Sequence, residues 1–320
     1  MAQLVDVINN GLLKLPTTVN TSSAGYIWFD EATQRAKYSW CGSAWSTGGA
    51  LITGRSDLAG AGTQNEALAF GGSTPSARVS CTEEYNGSSW STGGALSSAR
   101  YRVAGAGTQN AGLAFGGRLP AVLLSCTEEY DGSSWSAGGA LITARELFTG
   151  AGTQNAGLAF GGIPSNVSCT EEYDGASWSA GGALITGRYA LAGAGTQNAG
   201  LAFGGGSPSI VPCTEEYDGT SWSAGGALIT GQQDLAGAGT QNEALAFGGR
   251  DSSFAIISCT EEYNGTSWSA STSLITARFN LAGAGTQTAG LAFGGSPSTV
   301  SCTEEYSCGM FQSNLGSRQV

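Results

Sequence analysis

The alternation of apolar and polar positions comes in short pieces. Residues 145–186 show the pattern: LFTGAGTQ, then AGLAFGG, then NVSCTEEY, then ASWSAGGALIT. Each piece is apolar over a few residues and is bounded by Gly, Asn, Asp or Pro, the residues that punctuate strands. No stretch of helical length carries an apolar period of 3.6. Asn86-Gly87, Asp131-Gly132, Asp174-Gly175, Asp218-Gly219 and Asn264-Gly265 each follow the Tyr of a Glu-Glu-Tyr run. Such a pair between two apolar runs marks a tight turn between antiparallel strands. The unit therefore predicts four short antiparallel strands.

The unit recurs. Phe-Gly-Gly ends at Gly72, Gly117, Gly162, Gly205, Gly249 and Gly295. Cys-Thr-Glu-Glu-Tyr begins at Cys81, Cys126, Cys169, Cys213, Cys259 and Cys302. A Trp of the fourth strand stands at 45, 90, 135, 178, 222 and 268, so the period is 43 to 46 residues. Six four-stranded units at this period predict an all-β chain folded as a six-bladed β-propeller. The first strand agrees: Ala-Gly-Ala-Gly-Thr-Gln begins at Ala59, Ala104, Ala192, Ala236 and Ala282, with Thr149 opening the variant copy. Innermost strands crowd the axis, where small side chains let backbones approach.

The order of residues within the unit resembles the kelch repeat. An Arg comes first (Arg55, Arg100, Arg145, Arg188, Arg278, with Gln232 breaking the set). Gly-Gly then ends the second strand, Glu-Tyr closes the third and Trp opens the fourth. The resemblance covers about residues 44–306. Kelch enzymes that bind copper use histidine, which this chain lacks, so that activity does not carry over.

Counting fourth strands raises a question of closure. The last copy runs out after Tyr306, whereas Trp45 has no Cys-Thr-Glu-Glu-Tyr ahead of it. The stretch AWSTGGALITGR, 44–55, matches the fourth strand of the later units. An N-terminal strand that completes the C-terminal blade would close the ring and remove an open edge. The alternative is Phe311 as a degenerate fourth strand. Cys41 and Cys308 both fall at the one turn that the chain does not make covalently, and a Cys41–Cys308 disulfide is expected there. The six unit cysteines are expected to be buried thiols, too far apart in neighbouring blades for bridging. Each Glu-Glu pair splits between the two faces of its strand, and one member is expected to face a neighbouring blade and pair with the repeat Arg.

Composition narrows the function. With no histidine among 320 residues, Ser-His-Asp and Cys-His chemistry is excluded. Carboxylates copied six times read as architecture, so the expectation is a protein that is not an enzyme, with no catalytic residue, metal or cofactor. A net charge of −11 without a basic cluster argues against nucleic acid as a partner. No apolar run approaches the length of a membrane span, and the N-terminus has no signal-peptide pattern.

Variation gathers at one end of the ring. The 1–2 and 3–4 turns are nearly constant. The 2–3 connections and the residues after each Arg differ from unit to unit. That end collects Tyr101, Arg102, Arg118, Phe148, Tyr189, Arg250, Phe254 and Phe279. Loops on a rigid scaffold are where binding usually sits, and aromatic residues with Arg suit glycan or protein contacts.

Residues 1–24 carry no repeat and are expected to be an anchor or leader; 309–320 read as a tail following a propeller of 44–308. Residues 25–43 predict a hairpin around a turn at 31–34. Gly25, Ile27, Phe29, Asp30, Thr33, Tyr38, Gly42 and Trp45 resemble a short module of phage tail and fibre proteins. The glycine-rich repeats likewise resemble virion proteins of tailed bacteriophages. The resemblance implies a virion structural or adhesion protein, displayed for host attachment or particle decoration. Its partners would be other virion proteins through the N-terminal segment, a host-surface glycan or protein, and a second copy of itself. A cellular protein–protein interaction propeller is the alternative.

Overall fold

The computed structural model describes residues 26–30, 35–164, 167–297 and 300–314, with side chains described over 42–164, 167–297 and 300–308. The chain divides into two units, 43–308 and the remainder, 1–42 with 309–320. In the smaller unit the strand Tyr26–Asp30 pairs antiparallel with the start of Arg35–Gly48, from Tyr26 opposite Ser39 to Asp30 opposite Arg35. The expected hairpin strands are thus present; the turn at 31–34 and the leader at 1–24 lie outside the described residues.

The larger unit is a six-bladed β-propeller. Blade one is Ala59–Gly62, Ala67–Phe70, Thr82–Tyr85 and Trp90–Gly93 in spatial order. Blades two to five repeat this meander, their first strands being Ala104–Thr108, Thr149–Thr153, Ala192–Thr196 and Ala236–Gly239. Blade six takes Ala282–Gly285, Ala289–Phe293 and Thr303–Asn314 from the C-terminal end and Arg35–Gly48 from the N-terminal end. Each first strand touches the next, and that of blade six touches that of blade one, so the ring closes. Phe311 lies within the third strand of blade six and supplies no fourth strand.

The core consists of six wedges between blades. The Leu-Ala-Phe of every second strand has no solvent exposure, for example Leu68, Ala69 and Phe70. Phe70 lies over the first strand of blade two. A Cβ placed on Gly105 would stand 2.7 Å from its ring and 3.0 Å from Gly60 O. Only glycine admits that approach. Trp135 of blade two then packs on Phe70 of blade one at 5.0 Å and on its own Tyr130 at 4.9 Å. Tilted aromatic pairs of this kind contribute about 0.5–1.5 kcal/mol beyond the area they bury.

Polar side chains repeat the same stitching. The Trp135 indole N–H donates to Thr82 Oγ1 of the preceding blade at 2.9 Å. Trp45 does the same to Thr260 at 3.0 Å and Trp90 to Thr303 at 2.9 Å. Trp45 also packs on Phe247 and Tyr306, both at 5.1 Å. The split blade therefore has the contacts of a covalently continuous one. Constancy of the 1–2 turn has the same origin. Gln109 Nε2 donates to Ala67 O (3.1 Å) and Tyr85 O (2.6 Å) of the preceding blade, and Gln64, Gln154, Gln197, Gln241 and Gln287 repeat the clamp.

The paired glutamates split, with roles distributed differently from the expectation. The first of each pair stays within its unit: Glu128 accepts from Arg100 at 2.7 Å, both buried, and also from Ser97 N at 2.8 Å. The second faces the following blade and accepts from its Tyr hydroxyl, as Glu84 does from Tyr130 at 2.5 Å. The unit cysteines are half-buried free thiols, not fully buried ones. They precede the third strand, where Cys126 Sγ lies 2.8 Å from Arg100 Nη1.

Candidate functional site

The residue following each Arg forms a backbone bridge with the residue that follows Gly-Gly. Ser56 pairs with Ser73, Tyr101 with Arg118, Glu146 with Ile163, Tyr189 with Gly206 and Phe279 with Ser296; Gln233 pairs with Arg250 as part of a two-residue ladder. These bridges hold the variable 4–1 and 2–3 connections together at one end of the ring. The opposite end carries the constant turns. There Cys308 N donates to Thr288 O of a 1–2 turn at 2.9 Å.

The next residue of each 4–1 connection adopts a left-handed conformation without being glycine: Asp57, Arg102, Leu147, Ala190, Asp234 and Asn280, with φ from 52° to 56°. Such residues cost about 1–3 kcal/mol unless their surroundings hold them. Here they are held by one another. Arg102 N donates to Asp57 O (2.7 Å), Ala190 N to Leu147 O (2.7 Å), Asp234 N to Ala190 O (2.9 Å), Asn280 N to Asp234 O (2.9 Å) and Asp57 N to Asn280 O (3.0 Å). These five bonds join the six residues in one belt running from Leu147 round to Arg102, which frames a cavity of about 90 Å³. Asp234, Asn280 and Asp57 make a polar arc of it, and Leu147, Phe148, Ala190 and Leu191 an apolar one. Burial raises the Asp57 carboxyl above its ordinary value and Arg102 beside it opposes the rise; burial does the same at Asp234 against Arg250.

Outside the belt the expected residues fall into separate groups. Arg102 reaches Asp57 at 3.3 Å and Glu146 at 3.0 Å, and Arg118 reaches Glu146 at 2.7 Å. The Tyr101 ring lies against this group, 5.4 Å from the Arg102 guanidinium and 4.7 Å from that of Arg78. A second group is Arg250, 3.0 Å from Asp234 and 3.8 Å from the Phe279 ring centroid. Tyr189 packs its ring close to Gly206 and is half-buried. Phe254 projects from the blade-five loop, 62% exposed and itself left-handed at φ 62°. Asp251 holds that loop, accepting from Ser253 N (2.8 Å), Ser253 Oγ (2.6 Å) and Ala255 N (3.0 Å). Phe148 is buried against Phe115 and lines the axial cavity, so it contributes packing and not exposed surface.

Arg78, Asp57, Glu146 and Asp234 were not legible as site residues. Arg78, Asp57 and Glu146 meet neighbours in another unit, which no spacing within one unit signals; Asp234 meets Arg250 of its own unit, which only the fold brings beside it. The Cys41 side chain lies outside the described residues, and with it the expected Cys41–Cys308 pairing. Among the described residues no group of three or more His, Cys, Asp or Glu side chains could hold a metal ion. No helix among them is long and apolar enough to cross a membrane.

The fold is a β-propeller, an architecture suited to protein interaction. No protein-family model matches the chain, and no curated protein matches it.

Proposed function

We propose that this chain is a non-enzymatic virion protein of a tailed bacteriophage, a kelch-like propeller that makes its contact through the variable end. It is assembled in the host cytoplasm and tied to the particle by the N-terminal segment. The contact serves host attachment or decoration of the particle. One observation carries the reading. The constant 1–2 turns are accounted for by blade-to-blade bonds and the constant 3–4 turns by bonds within the turn, whereas the variable connections place Tyr101, Phe254, Phe279 and the Arg side chains at the opposite end. The resemblance of residues 25–45 to a tail and fibre module supplies the virion part.

Mass spectrometry of purified virions tests that part: the chain is expected among the structural proteins. Its absence from particles would favour a cellular interaction propeller instead. Glycan-array or host-cell binding tests the surface. Tyr101→Ala or Phe279→Ala is expected to abolish binding, while Asn110→Ala in a constant turn leaves it intact; the reverse pattern would reject the variable end as the contact.

A further inference from the structure

Among the described residues, the large apolar side chains left exposed are confined to one end of the propeller. Ile52, Ile142, Ile185, Ile229 and Ile275 are 60–63% exposed, one in each of five 4–1 connections. Val122, Phe254 and Ile256, the other large exposed apolar residues among those described, belong to 2–3 connections of the same end. The sixth copy of the isoleucine position is Ser97. That copy separates folding from function. What the position does for the blade is donate its N–H to the first Glu, as Ile52 does to Glu83 (2.7 Å) and Ser97 to Glu128 (2.8 Å). Serine does this as well as isoleucine, so the fold does not call for five exposed isoleucines.

Charge is distributed to match. Five of the Arg residues in 43–308 are buried in the repeat position. The other four, Arg78, Arg102, Arg118 and Arg250, sit at the variable end, where Asp57, Glu146 and Asp234 neutralise three of them. The constant end exposes Glu66, Asp131, Asp174, Asp218 and Glu243 and has no basic residue within 43–308. Two constant ends repel each other; two variable ends do not.

We propose that the variable end is the face of a homodimer, in which two copies of this chain meet end to end through their isoleucine rings. This rests on the reading of that end as the contact surface and names a second copy as its partner in particle decoration; a copy engaged in the pair does not present Tyr101 or Phe279 to a host. A partner that engages apolar residues spaced evenly around a six-bladed ring must be as broad as the ring and carry matching positions at the same radius. A second copy does so by construction, since a two-fold axis brings the same patch of both copies together. A stable pairing needs roughly 20–30 residues from each side, which the twelve connections of this end supply.

Sedimentation velocity and light scattering on the full chain test it. The expected particle has twice the 32.2 kDa chain mass. The variant I52S/I142S/I185S/I229S/I275S, which copies Ser97, should keep its unfolding temperature and raise the dimer dissociation constant by more than about tenfold. The variant D131N/D174N/D218N, which copies Asn86 and Asn264, should stay dimeric. A wild-type monomer up to the highest soluble concentration, an isoleucine variant that still dimerises, or a dimer broken by the acidic-end variant would each overturn the proposal. If no dimer forms but Tyr101→Ala still abolishes host or glycan binding, the dimer falls and the contact surface stands.

Discussion

Gln232 is where one residue departs from six-fold regularity. In the other five units an Arg meets the buried first Glu, as Arg145 meets Glu171 at 2.7 Å. In blade five Gln232 is fully buried with its amide nitrogen unpartnered. Glu261 there accepts only the Ile229 and Thr230 N–H groups, at 2.8 and 3.0 Å. Burial raises its carboxyl above the ordinary 4.5, and those two N–H groups oppose the rise. A raised carboxyl binds more protons folded than unfolded, so stability falls as pH rises from 4.5 through the folded value. Gln232→Arg is therefore expected to stabilise by about 1.5–3 kcal/mol, the range for hydrogen bonds to charged groups. Urea unfolding should show a larger gain at pH 7 than at pH 4. An equal gain at both would mean that Glu261 carries no such penalty. At the axial belt, Ala190 stands in a conformation that favours glycine. Ala190→Gly should be neutral or stabilising by up to about 1 kcal/mol, whereas Gly105→Ala, which meets the Phe70 ring and Gly60 O, should destabilise.

At the scale of elements the split blade is decisive. Trp45 enters its wedge with the same indole bond and the same two aromatic neighbours as Trp135. Trp45→Ala should cost about 3–5 kcal/mol, matching Trp90→Ala in thermal unfolding. A loss below about 1 kcal/mol would mean that another segment closes the ring. The four-strand unit, its turns and the matching of 44–55 to later fourth strands were legible because the repeat prints each element six times. Phe311 could be assigned only by topology, since a single strand of one copy shows no pattern of its own. The belt of left-handed residues was also hidden: Asp57 and Asn280 are residues that tolerate that conformation, but Leu147 and Arg102 are not.

At the scale of the whole propeller, stability and pH are coupled through the tyrosines. Each donates to a Glu of the preceding blade, at 2.5 Å for Tyr85, Tyr130, Tyr173, Tyr217 and Tyr263. Burial first, and then that donation to a carboxylate, pushes their hydroxyls from 10 up to about 12. Burial moves Tyr306 in the same direction. The stabilisation is complete below pH 10 and is lost as pH rises through about 12. The phenolate absorbance of these six of the ten tyrosines should be missing from the folded protein at about pH 10.5 to 11 and appear together with loss of near-ultraviolet circular dichroism. Ionisation of all ten tyrosines near pH 10 in a still-folded protein would contradict the ring of Tyr–Glu bonds.

Recurrence along the chain encodes strand number, turn positions, six blades, and an N-terminal segment matching the one fourth strand that the last unit lacks. These follow from local pattern, and internal comparison repeats the reading in every copy. The tertiary structure alone decided which atoms meet between units. It assigned the first Glu to the Arg of its own unit and the second to the next blade's Tyr, placed Phe148 in the core, and joined Arg78 to Tyr101. It also gathered the exposed isoleucines at one end and the carboxylates of Glu66, Asp131, Asp174, Asp218 and Glu243 at the other. The reason is geometric. Contacts between units depend on the rotation from one blade to the next, and no spacing within a single unit records that rotation.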